Sequence, residues 1–394
     1  MPATAMFDRS RSDLTKLTSV KWSLYDADVI PLFVAEMDFG IAEPVREAIS
    51  RVIDNVDLGY PDVTLSSRNR LAVSFCERMS SQFGWQPAPE DVIPVADLVQ
   101  GTYAPVTVFS EPGDGVIVQV PCYPPFRNAV VETGRRFIPM SMQSDGERHG
   151  CDFAAMEQLI DSRTRIIILC NPHNPTGRVF DREELLELGR IAEEHDLIVI
   201  SDEIHADLVY AGHQHIPFAS LGPEFAARCI TLNSPTKSFN FPGLRAAVMH
   251  FGSRRLRDRF LSRMPYRLLG QLNTLGVEAT VAAWGQGQPW LDAVMGQLVK
   301  AKAKTAKLLT ENIPEIRFHD PEATYLMWLD CRDLDLPSAA YDFFLHEAGV
   351  AFSAGGSFDP TCNGFVRLNF ATTEAILVEA VERMVAAIDQ HRRR

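Results

Sequence analysis

The stretch LNSPTKSFNFPGLR, Leu232 to Arg245, puts Lys237 where a β-type run stops. Ser234, Pro235 and Thr236 precede it, and a Pro-Gly turn and Arg245 come after it. An ordinary lysine has a pKa near ~10.4 and is protonated at neutral pH, so it becomes a nucleophile only when desolvated, set beside another cation or held as an imine. A crowded, hydroxyl-rich and partly apolar neighbourhood is what such a lysine needs. A structural lysine at a strand end is the ordinary alternative. The other chemistry-bearing residues are Tyr123 behind Pro121-Cys122, Asn174 in NPHNPTG, Asp202 and His205 in SDEIH, and Arg367 in GFVRLNF.

The elements around these residues bring them together. RIIILC (Arg165 to Cys170) is expected to be a buried strand, followed by the NPHNPTGRVF loop and a helix opening at Asp181. Asp181 with Glu184 fits a capping box, and Leu185, Leu188 and Ala192 mark the inward stripe. LIVI (Leu197 to Ile200) is the next buried strand. Strand, helix and strand with continuous apolar strands make a βαβ unit of a parallel sheet, to which GVIVQV (Gly115 to Val120) and CITLN (Cys229 to Asn233) add. Open α/β sheets bind ligands outside the carboxyl ends of their strands. Tyr123, Asn174, Asp202 and Lys237 all fall just past such ends, a poor metal set and a plausible organic-cofactor set. In GFVRLNF, Val366, Leu368 and Phe370 alternate with Arg367 and Asn369, which predicts a half-buried strand with Arg367 facing a pocket.

Composition limits the rest. A chain of 394 residues with 46% hydrophobic content buries a sizeable core. The net charge of -13 disfavours nucleic acid, and the basic end His391 to Arg394 is expected to be a solvated tail. The first residues lack a signal-peptide core, and no run approaches the roughly 18 apolar residues of a membrane span, so a cytoplasmic protein without a membrane partner is expected. Seven scattered cysteines without a C-x-x-C pair suggest neither disulfides nor zinc. His213 and His215 in AGHQHIPF invite a metal reading, but the turn chemistry around them favours an ordinary loop, and no metal site is expected.

Tyr123, NPHNPTG, SDEIHADL, SPTKSFNFPGLR and GFVRLNFA resemble, in order and spacing, the fold type I pyridoxal 5'-phosphate (PLP) enzymes of the class I/II aminotransferase superfamily. FVAEMDF, NPHNPTGRV and DEIHADL are similar more narrowly to the MalY/PatB branch of cystathionine β-lyases and related carbon-sulfur lyases. The resemblance runs from about Val34 to Ala371. It implies an α/β fold with a large PLP-binding domain on a mostly parallel seven-stranded sheet, plus a smaller α+β domain. The expected boundaries are 1–47 for an N-terminal arm and part of the small domain, 48–285 for the large domain and 286–394 for the small one.

The resemblance also implies roles. Lys237 would carry the cofactor as a Schiff base and move the substrate's α-proton. Asp202 would pair with the ring nitrogen and strengthen the electron sink, although an aspartate after a strand also caps the next segment. Asn174 would bond the phenolic oxygen, although Asn-Pro also makes turns. Tyr123 would stack on the ring and border the substrate. His205, a histidine where the wider superfamily commonly has tyrosine, fits the lyase branch. Ser234 and Arg245 match phosphate-contacting positions, with Thr236 a weaker candidate, and Gln100, Gly101 and Thr102 would offer a helix N-terminus to the phosphate. Many lyase-branch relatives carry a neutral residue where Arg245 stands, and aminotransferases favour arginine. Arg367 would clamp the substrate carboxylate. Tyr60 in LGYPDV would act on the substrate and phosphate of a neighbouring subunit, so a homodimer with shared sites is implied. The implied reaction is α,β-elimination from an L-cysteine S-conjugate such as cystathionine. An aminotransferase, a decarboxylative deaminase of an S-conjugated amino acid, or a PLP-fold regulator are the alternatives.

Overall fold

In the computed structural model, residues 6–393 are described, except 64, 66, 67, 145 and 147. The large sheet has eight strands: β1 (Val92–Val95), β2 (Gly115–Val120), β3 (Arg136–Ser144), β4 (His149–Cys151), β5 (Thr164–Cys170), β6 (Ile198–Asp202), β7 (Cys229–Asn233) and β8 (Ala247–Phe251). Their order is β1-β8-β7-β6-β5-β2-β3-β4. The pairs from β3 through β2, β5 and β6 to β7 are parallel, whereas β8 runs antiparallel to both β1 and β7. The strand beyond the expected seven is β4, three residues that fold back antiparallel on β3.

Alternating side chains of the central strands supply two cores. Val116, Val118, Ile166, Ile168, Ile200 and Leu232 pack with the helix Leu98–Phe109 on one face. Ile117, Ile167, Leu169 and Val199 meet Leu185, Leu188 and Ile191 of the helix Arg182–Glu194 on the other. Cover on both faces explains why these strands are continuously apolar. The capping box at Asp181 and Glu184 forms, and Leu185, Leu188 and Ala192 are buried.

A third core joins the two ends of the chain. It holds a small antiparallel sheet of β9 (Leu326–Asp330), β10 (Ser353–Ala354) and β11 (Phe365–Asn369), in the order β9-β11-β10. Ile30–Pro31 pairs in parallel with Val350–Ala351. The helix Glu43–Asp54 runs through position 48 and packs on Thr274–Gln286, and the long helix Gln288–Asn312 begins just after Gly287. Phe365 to Asn369 form the expected strand, but from Val366 onward both its faces are buried, because the N-terminal segment covers the side carrying Arg367 and Asn369. That segment is anchored by a buried pair: Lys21 Nζ lies 2.9 Å from Asp38 Oδ2 and also donates to the Glu36 carbonyl, while Trp22 Nε1 donates to Asp38 Oδ1.

Among the described residues no helix is long and apolar enough to cross a membrane. All seven cysteines are free thiols, five of them buried.

Candidate active site

Strands β2, β5, β6 and β7 end at Val120, Cys170, Asp202 and Asn233, and a cavity of about 320 Å³ opens beyond those ends. Tyr123, Asn174, Asp202, His205, Ser234, Thr236, Lys237, Arg245 and Arg367 all line it. The topology thus gathers residues from five separated stretches, as the switch-point rule for open sheets requires.

The Asn174 loop is fixed by backbone geometry. Gly177 has φ +71°, and a Cβ there would stand 2.8 Å from the Pro321 Cβ. Its carbonyl accepts from the amides of Glu322 and Ala323, which ties the loop to the segment leading into β9. Gly177→Ala is therefore expected to destabilise the protein by about 1–3 kcal/mol, seen as a lower denaturation midpoint in urea with an unchanged slope.

Lys237 lies on the cavity wall with its Nζ donating to the Ala35 carbonyl at 2.8 Å. Burial, and then the nearby Arg367 charge, lower its pKa to about 8, so a substantial neutral fraction exists near physiological pH. Arg367, on β11, donates from Nη1 to Asn174 Oδ1 at 2.8 Å and from Nη2 to the Phe33 carbonyl and Ser353 Oγ. Its guanidinium carbon sits 4.9 Å from the centre of the Phe358 ring, and its Nε is buried without a partner. Burial pulls even this guanidinium down to about 10.

Asp202 is pushed up to about 7 by burial, against one stabilising bond from the Ile204 amide. A buried carboxylate in that state gains from a cationic partner. His205 is buried, holds its Nδ1 without a partner, and is lowered to about 3 by burial and the neighbouring Lys237 and Arg367 charges. It is therefore a neutral imidazole. Ser234 Oγ donates to the Ala246 carbonyl at 2.7 Å and meets Thr236 Oγ1 at 2.8 Å. Arg245 Nη1 reaches Asp97 Oδ2 at 3.0 Å.

Three sequence-predicted residues stand elsewhere. The helix starts at Leu98 with Asp97 as its N-cap, so Asp97, Leu98, Val99 and Thr102 face the cavity. Gln100 and Gly101 do not. Gln100 Nε2 donates to the Leu268 carbonyl, and Gly101 packs against Leu232, where a Cβ would lie 3.3 Å from Leu232 Cδ2. Tyr60 is 95% exposed and does not line the cavity of its own chain. His215 is buried with its Nε2 3.1 Å from Glu203, whose other oxygen takes the Ser201 hydroxyl and the Phe218 amide, so its loop serves the core.

Several functional residues carry no mark in the sequence. The carbonyls of Phe33 and Ala35 hold Arg367 and Lys237, Ser353 and Phe358 brace Arg367, and the Tyr325 hydroxyl also donates to Ala35. FVAEMDF flags the first pair only as a motif. Asp97 has a local signal, an aspartate standing directly before a helix.

A lysine, an aspartate, an asparagine and an arginine gathered in one cavity at the ends of a parallel sheet make a set able to hold an organic cofactor. The aminotransferase class I and II profile matches residues 27–384, and the chain belongs to that family. It is 36% identical to cystathionine beta-lyase PatB of Bacillus subtilis (strain 168) over 389 residues, covering 97% of this chain and 99% of the relative. The crystal structure of OvoB superposes with a TM-score of 0.89 at 35% identity, covering 97% of each chain. Cystalysin from Treponema denticola, whose crystal contains pyridoxal 5'-phosphate, superposes with a TM-score of 0.90 at 30% identity, covering 97% of this chain and 98% of that one. The chain is a PLP-dependent enzyme of the MalY/PatB-like carbon-sulfur lyase branch.

The cavity residues fit that cofactor. A lysine lowered to about 8 suits a carbonyl, a carboxylate raised to about 7 suits a ring N–H⁺, and a hydroxyl pair beside Arg245 suits a phosphate.

Proposed function

We propose that this protein cleaves the Cβ–S bond of L-cysteine S-conjugates of the cystathionine type, giving a thiol, pyruvate and ammonia. The observation that carries this reading is the partly buried placement of Lys237 on a cavity wall shared with Arg367 and Asp202. Asp202 would hold the cofactor's ring nitrogen, Asn174 its phenolic oxygen, Tyr123 its ring face, and Ser234, Thr236 and Arg245 its phosphate. When bound, PLP supplies an electron sink for a carbanion at Cα.

The chain's own groups do the rest. Arg367 exchanges its bonds to Phe33 and Ser353 for the substrate carboxylate, which fixes the Cα–H toward Lys237. Because Asn174 Oδ1 accepts from Arg367, the amide NH2 of Asn174 is the group left to donate to the cofactor, and one residue couples the two ligands. Lys237 in its neutral form takes the Cα proton and returns one when needed. His205, neutral and packed edge-on to Tyr325, adds no competing charge. A thiol with a pKa near ~8.5 leaves far more readily than hydroxide, which favours sulfur at Cβ. Released aminoacrylate hydrolyses to pyruvate and ammonia.

The test is an assay of purified protein against a panel of cysteine S-conjugates, following free thiol and pyruvate. Conversion of an added keto acid instead would mark an aminotransferase, and release of carbon dioxide a decarboxylative reaction; either result without thiol refutes the lyase reading.

The site is proposed to be completed by a second copy of the chain. Ile53, Val56, Leu58 and Leu268 are more than half exposed, and Tyr60 almost fully. Exposed apolar side chains grouped in this way mark an interaction surface, and Tyr60 would reach the partner's cavity. Mixing inactive Lys237→Ala and Tyr60→Ala protomers is expected to restore activity in verified heterodimers, since each heterodimer regains one intact site. No recovery would exclude a shared site.

A further inference from the structure

The phosphate end of the cavity carries a carboxylate. Asp97 caps the helix Leu98–Phe109, its Oδ1 accepting from the Gln100 amide at 2.9 Å, while its Oδ2 accepts from Arg245 Nη1 at 3.0 Å. Both side chains line the cavity with Ser234 and Thr236. Arg245 is held there by its backbone, with φ +44° at the end of the Pro242–Leu244 turn, and the Leu244 carbonyl is pinned by Asn273 Nδ2 at 2.7 Å. A helix N-terminus and an arginine together attract anions. Here the chain already supplies an anion to both, and the Asp97 and Arg245 charges cancel.

We propose that Asp97 sets the affinity for the cofactor by competing with its phosphate for Arg245 and for the first turn of the helix. A phosphate monoester carries nearly two negative charges at neutral pH. On entering, it must draw Arg245 away from Asp97 or share it, beside a carboxylate that stays in place as the helix cap. The pair is partly open to solvent, with Arg245 70% and Asp97 29% exposed, so screening keeps the penalty moderate. Cofactor binding is thereby weakened relative to a site with a neutral cap. The inference rests on reading Ser234 and Arg245 as the phosphate cradle.

The test is titration of cofactor-free protein with PLP and, separately, with pyridoxal, which lacks the phosphate. Asp97→Asn keeps an oxygen for the Gln100 amide and removes the charge; Asp97→Ser is a second neutral cap. Both are expected to bind PLP about tenfold tighter, with pyridoxal affinity unchanged. Arg245→Leu is expected to weaken PLP less in the native background, where Arg245 is already engaged by Asp97, than in the Asp97→Asn background, where it is free for the phosphate. Unchanged or weaker PLP binding by both neutral caps, with pyridoxal unaffected, overturns the proposal and makes Asp97 a support for Arg245. If Arg245→Leu lowers PLP and pyridoxal affinity equally, the cradle reading itself is wrong, whatever Asp97 does.

Discussion

Lys237→Ala is expected to lower turnover by at least about 10³-fold and to remove the yellow absorbance of lysine-bound PLP. The size of the loss comes from the neighbours, because His205, Tyr123 and Asp202 on the same cavity wall cannot replace this base. His205 is lowered to about 3 and is too weak to take a Cα proton, while burial raises the Tyr123 phenol and so keeps it protonated. Asp202 is bound to the Ile204 amide and, in the proposed cofactor pose, is taken up by the ring nitrogen. Absorbance spectra and single-turnover assays on the variant measure both effects, and a variant keeping colour and turnover would sink the assignment. The lysine also predicts a pH dependence. Its pKa is lowered from 10.5 to about 8, so the ammonium gives up its proton at lower pH than usual. Uptake of PLP by cofactor-free protein should accelerate as pH rises through about 8 and level off above it.

Arg367→Leu and Arg245→Leu remove like charges and are expected to fail differently. Arg367→Leu should leave PLP binding nearly intact and cost about 2–4 kcal/mol in kcat/KM for amino-acid substrates, the loss of a charge-assisted bidentate pair. Arg367→Lys should recover only part of this, since an ammonium cannot hold a carboxylate bidentately and bond Asn174 in one plane. Arg245→Leu should raise the PLP dissociation constant first, with added PLP restoring part of the activity. Cofactor titration alongside steady-state kinetics separates the two. If Arg367→Leu releases PLP while Arg245→Leu only loses substrate affinity, the roles are reversed and the substrate pose is wrong.

The large sheet is the legible part of the sequence. Its strands are buried on both faces and so appear as unbroken apolar runs, and the Asp181 cap marks the intervening helix in four residues. The position of a residue just past a strand end is a topological fact, so Tyr123, Asn174, Asp202 and Lys237 can be grouped from sequence alone. Phasing a helix start is harder. ADLVQGTYAPVTVF is apolar nearly all round, with no stripe to reveal its facing side, and the anion-facing turn expected at Gln100 and Gly101 begins three residues past the Asp97 cap. Hydrogen bonds from side chains to distant carbonyls leave no local pattern, and so the parts played by Phe33, Ala35 and Ser353 have no signal. The edge strand β4 is too short, at three residues, to show a periodicity.

The N-terminal segment has a consequence for how the enzyme comes into being. Ala35 is 202 residues from the lysine it contacts, and Phe33 is 334 from the arginine it contacts. Contacts of such separation form only after long loops have closed, which places them late in folding, and during synthesis the Phe33 contact must wait until Arg367 has been made. The parallel sheet can assemble from the middle of the chain while the catalytic pocket still lacks a wall. Competence is thus acquired late, and a chain that stops before Arg367 holds the lysine without the charge that helps to lower its pKa.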